Sequence, residues 1–274
     1  MVRGGRRDSR FGRFVRYGFT APAVAEDLLD SPALARVGDD AALLAGLGAT
    51  ADPDLALRSL VRLVEAQPDG AERRALLDTV LTAKPLRDRL LGVLGTSEAL
   101  GDHLVRHPGD WHALLTYDTD DLHPGVEEFQ AVLAPAADPD ELRAAYRRAL
   151  LTIAARDVCG TTTVDEAAAE LADLATATLR AALAIAAREA PGDAALCRLT
   201  VIGMGKCGGR ELNYVSDVDV VFVAEATGGT ADEDGGESKA LRAATRLASR
   251  MMRICSDTTA EGTIWPVDAN LRPE

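Results

Sequence analysis

Asp217 and Asp219 stand one residue apart at the head of an apolar run, directly after a glycine-rich turn, in the stretch VIGMGKCGGRELNYVSDVDVVFV over residues 201–223. Side chains alternate along a strand, so the two carboxylates share a face. Carboxylates side by side repel unless a cation or a proton sits between them. The glycines just upstream let backbone N–H groups approach phosphate oxygens. The pattern therefore predicts Mg²⁺ held by Asp217 and Asp219 beside a phosphate-binding loop, which is the chemistry of nucleotidyl transfer. A third carboxylate from a neighbouring strand would complete such a site. Asp268, in Ile264-Trp265-Pro266-Val267-Asp268, is the candidate.

Asp-x-Asp by itself is cheap in this chain. It recurs at Asp52/Asp54, Asp118/Asp120, Asp138/Asp140 and Asp232/Asp234, in segments that read as loops or helix caps, where Asp is ordinary. Two phosphate-loop alternatives compete. Gly203, Gly205 and Gly208 fit G-x-G-x-x-G after a strand, with Glu225 following a second strand, as a dinucleotide fold would ask. The connection from Gly208 to Asp217 is too short for a crossover helix, and a buried parallel strand seldom opens with two carboxylates. A Walker loop is excluded because no Ser or Thr follows Lys206.

The elements that must position these residues are read from periodicity. Residues from about 20 to 115 form helical blocks, with Leu55, Leu60, Val61, Leu63 and Val64 on one face and Leu90, Leu91, Val93 and Leu94 on another. Gly95 reads as a stop, Ser97 as the next start, and His107-Pro108 as its end. Residues 116–140 read as the most loop-like part. Helices follow from near Glu141 to Val158, capped by Asp138 or Asp140, and from Thr163 to about Glu189. Leu199–Ile202 and Asp217–Val223 read as strands joined by a short crossover, and Glu225–Glu237 as an acidic loop. A helix carrying Leu241, Ala244, Leu247, Met251 and Ile254 on one face, and Lys239, Arg242, Arg246, Arg250 and Arg253 on another, precedes a last strand over Thr263–Leu271. That basic stripe reads as a solvated face, with a phosphate-facing role as the alternative.

Composition bounds the rest. The 274 residues are 47% hydrophobic but only 4% aromatic, so the core is built from Ala, Leu and Val. A formal charge of −13 argues against broad nucleic-acid or anionic-lipid binding. No apolar run spans a bilayer, and Arg3 to Arg16 lack the apolar segment of a secretory signal. A cytoplasmic protein is expected. Cys159, Cys197, Cys207 and Cys255 lack metal-ligand spacing and read as free thiols.

The stretches GMGKCGGRELNYVSDVDVVFV, VDANLRPE, LGTSEALGDHLVRHP and YRRALLTIAARDVCG together resemble the bacterial glutamine-synthetase adenylylating and deadenylylating enzymes, over most of the chain from about Tyr17 to Glu274. The resemblance implies an α+β fold. A largely helical amino-terminal region, 1–137, is followed by a polymerase-beta-like nucleotidyltransferase sheet with flanking helices, 138–274, truncated at its carboxy end. It implies Asp217, Asp219 and Asp268 as catalytic metal ligands. Gly205, Lys206, Gly208, Gly209 and Ser216 fall on the nucleotide-side loop, with Arg272 near the phosphates. Asn270 departs from the family, where Arg is common.

The resemblance also implies glutamine synthetase and a PII signalling protein as partners, and ATP, ADP and phosphate as small-molecule ligands. Tyr17-Gly18-Phe19 and the Arg-rich start resemble the front of such chains, the half that removes AMP from a tyrosine by phosphorolysis. Adenylylation from ATP at the same site and a non-catalytic docking fragment are the alternatives.

Overall fold

Residues 10–115, 123–228 and 235–270 are described by a computed structural model. The chain divides into two compact units, 1–120 with 154–161, and 121–153 with 162–274.

In the first unit, helices run over Arg10–Arg16 (α1), Pro22–Leu29 (α2), Ala41–Gly48 (α3), Pro53–Ala66 (α4), Gly70–Thr82 (α5), Lys84–Leu94 (α6) and Glu98–Arg106 (α7), followed by a 3₁₀ segment at Pro108–Leu115. Their starts follow capping chemistry. The side chains of Asp40, Asp52, Asp69 and Ser97 accept N–H groups that the first turns leave unpaired. Each such cap contributes about 1 kcal/mol. Asp54, one of the decoy carboxylates, is buried and accepts from the Thr20 N–H at 2.7 Å and its hydroxyl at 2.8 Å. Its partner Asp52 caps α4. Both are therefore accounted for as structure. Arg10 bonds Glu26, Asp30 and Asp39, and its guanidinium pulls the Asp30 carboxyl below the usual range.

The second unit contains Val126–Leu133 (α8), Pro139–Val158 (α9, whose residues from Ala154 belong to the first unit), Val164–Glu189 (α10) and Pro191–Ala194 (α11). Cys197–Gly203 (β1), Gly205–Gly208 (α12), Val218–Ala226 (β2), Gly236–Ser256 (α13) and Val267–Asp268 (β3) complete it. The sheet order is β1-β2-β3, with β1 antiparallel and β3 parallel to β2. This is the expected α+β class. α13 packs on β1 and β2, and α10 packs on α13 and α8. Leu171, Leu174, Leu179, Ile185, Val218, Val220, Met251 and Trp265 are buried in one core.

Several local expectations are corrected. The segment expected to be loop contains α8, whose Val126, Phe129 and Leu133 keep helical spacing. Phe129 and Leu133 are buried. Asp118, Asp120 and Asp121 lie outside the described residues. The β1–β2 pairing is antiparallel, so no crossover exists between them, and the dinucleotide alternative loses its parallel pair. Leu241 is 62% exposed rather than on the buried face. At 100° per residue it falls at the margin of the arc centred on Ala240, Ala244, Leu247 and Met251. The last strand is two residues long rather than nine. Pro266 has no N–H to pair, and the Asp268 carboxylate turns back to accept the Asn270 N–H at 2.8 Å. The basic stripe of α13 is largely solvated, as expected, with two of its arginines beside acids of α10 and α11. Arg246 Nε donates to Asp193 at 2.9 Å, and Arg250 lies 3.7 Å from Glu189.

Burial has a consequence for alkaline stability. It pushes the Tyr146 hydroxyl from 10.0 and the Cys255 thiol from 9.0, each up to about 12. Both groups stay neutral in the fold while the unfolded chain ionises earlier. Their contribution is complete below pH 9 and is lost as the pH rises toward 12. Urea midpoints measured from pH 8 to 12 are expected to fall over that window, and Cys255→Ala is expected to flatten the lower part of the fall.

Candidate active site

The site is built where β1 ends and β2 begins. In β2, Val218 and Val220 are buried, so the alternation turns Asp219, and Asp217 just before the strand, away from the core. Parallel pairing of β3 aligns Asp268 with Asp219 and Val267 with Val218. One oxygen from each of Asp217, Asp219 and Asp268 lies within 4.8 Å of the others. Three carboxylates at that spacing could hold a cation between them. An all-carboxylate donor set suits a hard divalent ion.

The glycine-rich turn is fitted against this cluster. The Met204 N–H donates to the Asp219 carbonyl at 2.8 Å, so the turn is tied to the very residue that carries the carboxylate. A single helical turn, α12, follows, closed by Gly208 N–H to Met204 and Gly209 N–H to Gly205, both 2.9 Å. Gly205 has φ +52°, and a Cβ there would overlap the Asp219 carboxylate. A Cβ on Gly208 would stand 2.5 Å from the Gly203 carbonyl oxygen. These two glycines are thus demanded by geometry.

The remaining expected residues fall as follows. Lys206 is exposed and donates to Asn213 Oδ1 at 3.2 Å. Ser216 is half-buried directly before Asp217, and Gly209 is exposed at the end of α12. Arg272 lies outside the described residues. Cys207 is buried, and desolvation raises its thiol above the ordinary value, which fits packing rather than nucleophilic attack. All four cysteines are free thiols.

Sequence reasoning missed three residues that support the site. Arg210, at φ 59°, donates to the buried Asp173 of α10 at 2.8 Å and anchors the link between the turn and Asp217. Burial raises the Asp173 carboxyl above its ordinary value, with Arg210 opposing that rise. Arg143 and Arg147 of α9 hold the segment leading to Asp268. The stretch YRRALLTIAARDVCG contains Arg147, but no periodicity distinguishes a gripping arginine from a solvated one.

A helical unit and a mixed sheet carrying three convergent carboxylates beside a glycine turn define a protein of the α+β nucleotidyltransferase kind. Residues 87–274 match the sequence model of the family described as Glutamate-ammonia ligase adenylyltransferase. The chain belongs to that family.

It is 70% identical over 274 residues, 100% of this chain and 27% of the relative, to the Bifunctional glutamine synthetase adenylyltransferase/adenylyl-removing enzyme of Streptomyces avermitilis. Proteins of the same name from Streptomyces coelicolor and Mycolicibacterium smegmatis are also similar. The first is 68% identical over 98% of this chain and 27% of the relative. The second is 45% identical over 86% of this chain and 24% of the relative. The chain spans about a quarter of the length of the curated relatives it matches. Among the described residues, no helix is long and apolar enough to cross a membrane.

Proposed function

We propose that this chain carries a Mg²⁺-dependent nucleotidyl-transfer site that removes AMP from a tyrosine of glutamine synthetase by phosphorolysis, in the service of nitrogen assimilation. The observation that carries the reading is the convergence of Asp217, Asp219 and Asp268 within 4.8 Å beside the glycine turn. The names of the relatives suggest the protein substrate and both directions of transfer. Resemblance of the Tyr17-Gly18-Phe19 segment to the front of the family's chains favours the removing direction.

In this reading an oxygen of inorganic phosphate attacks the α-phosphorus of the tyrosyl-AMP. A P–O–P bond forms, the bond from phosphorus to the tyrosyl oxygen breaks, and the phosphate's proton ends on the tyrosine hydroxyl, giving ADP. Mg²⁺ held by the three carboxylates would neutralise charge on the phosphoryl oxygens. Gly205 lies against the Asp219 carboxylate and would let a phosphate approach without side-chain obstruction, while the N–H groups of Gly208 and Gly209 close the turn and these two are assigned to the nucleotide side by resemblance. Lys206 would offer a positive charge beside the phosphate, and Ser216 a hydroxyl. Arg272 is assigned to the phosphates by resemblance alone. PII is expected to act through this protein as a regulator, and in a division into a helical region, 1–137, and a catalytic one, 138–274, α8 would pack with the catalytic part.

Incubation with AMP-modified glutamine synthetase, phosphate and Mg²⁺ is expected to yield ADP and unmodified enzyme. Pyrophosphate release from ATP and unmodified glutamine synthetase, with no ADP from the modified form, would reverse the assigned direction. Absence of both activities, with no binding of Mg²⁺ or nucleotide, would leave a docking role.

A further inference from the structure

β3, which carries Asp268, is the shortest strand of the sheet. β3 contributes only Val267 and Asp268 to the pairing with β2. The segment before it, from Ile254 onward, is gripped instead by α9, more than a hundred residues earlier in the chain. Arg143 is 2% exposed, and its Nη2 donates to the carbonyls of Ile254 at 2.8 Å and Asp257 at 3.0 Å. One turn further along α9, Arg147 donates from Nε to the Glu261 carbonyl at 3.3 Å and from Nη2 to the Thr263 carbonyl at 2.9 Å. The spacing of four puts both guanidinium groups on one face.

The hairpin turn is shaped around Arg147. Thr259 and Gly262 pair across it, and Gly262 has φ +86°. A Cβ on Gly262 would stand 2.7 Å from Arg147 Nη2. Beyond Thr263 the chain is fixed step by step. The Ile264 and Trp265 N–H groups donate to the Cys255 carbonyl at 3.1 and 3.3 Å, and the Pro266 carbonyl accepts from Val218 at 3.0 Å. Asp268 follows two residues later.

We propose that Arg147 is a positioning residue for the metal site: by holding the carbonyls of Glu261 and Thr263 together it fixes the segment that delivers Asp268 opposite Asp219. This rests on the reading of Asp268 as a cation ligand. Arg143 closes the carboxy end of α13 and serves the core, whereas Arg147 is half-buried and holds the turn. A planar guanidinium reaches two carbonyls from one fixed fork, and a lysine ammonium does not reproduce that geometry.

The test is Mn²⁺ affinity of the 274-residue chain by calorimetry, for the parent, Arg147→Ala, Arg147→Lys and Asp268→Asn. It is paired with amide exchange over residues 259–268 in the metal-free chain. Arg147→Ala is expected to weaken Mn²⁺ by about 10–100-fold, the usual cost of losing a group that orients a ligand, and to speed exchange at Thr263–Asp268. Arg147→Lys is expected to recover part of both. Parent-like affinity and exchange in Arg147→Ala, with Asp268→Asn weakened, would overturn the role of Arg147. Parent-like affinity in Asp268→Asn would instead remove the metal reading, while the exchange data, taken without metal, still decide the grip. Should Arg147→Ala fail to fold, Arg147→Lys carries the decision, and parent-like affinity and exchange in it would overturn the proposal.

Discussion

Gly205→Ala is expected to abolish divalent-cation binding and turnover together while leaving the first unit intact. Two penalties act at once. The residue sits at φ +52°, a region that costs an L-residue about 1–2 kcal/mol. The added methyl would also occupy the place of the Asp219 carboxylate. The Asp219 carbonyl is bonded to Met204 one residue before the glycine, so the turn cannot retreat without carrying the strand with it. The cheaper response is a rotation of the Asp219 side chain away from Asp217 and Asp268, which dismantles the ligand set. Gly192→Ala is the control, because nothing stands within 4 Å of a Cβ there and its φ is ordinary. Mn²⁺ titration of both variants checks the difference. Parent-like Mn²⁺ binding in Gly205→Ala would mean that the turn and the carboxylates are not mechanically joined.

Asp219→Asn and Asp217→Asn are each expected to lower ADP formation by at least about 10²–10³-fold, the loss seen when one charge-stabilising group is removed from a transition state. Asn keeps the shape, so folding survives. The stability effects should then separate by metal. Without Mg²⁺, removing one of three like charges within 4.8 Å relieves repulsion, and the melting temperature is expected to hold or rise. With Mg²⁺, the parent gains the stabilisation that ligand binding gives the folded state, and the variants do not. Paired melts with and without Mg²⁺ read this crossing directly. A variant that melts lower than the parent in the absence of metal would point to a structural role for the carboxylate.

What could be read from the sequence follows physical range. Ser97 and Thr163 cap the helices they were expected to open, because a cap acts within three residues. Asp217 and Asp219 were legible for the same reason: alternation along one strand fixes their shared face. Asp268 was legible only as a candidate on the last expected strand, since its approach to Asp219 depends on a two-residue parallel pairing that no local pattern encodes. The grip of Arg143 and Arg147 was invisible because it falls on main-chain carbonyls of residues 254–263, which carry no side-chain signature. α8 was obscured by the Asp and Pro residues around it, although Val126, Phe129 and Leu133 keep helical spacing. Leu241 was misplaced because an arc edge and an arc centre look alike when only apolar identity is counted.

The most direct measurement is anomalous diffraction from crystals of this chain soaked in Mn²⁺. A peak about 2.1 Å from one oxygen of each of Asp217, Asp219 and Asp268 is the expected result. No peak among the three carboxylates, with Mn²⁺ bound elsewhere in the same crystal, would contradict the assignment of this cluster as the metal centre.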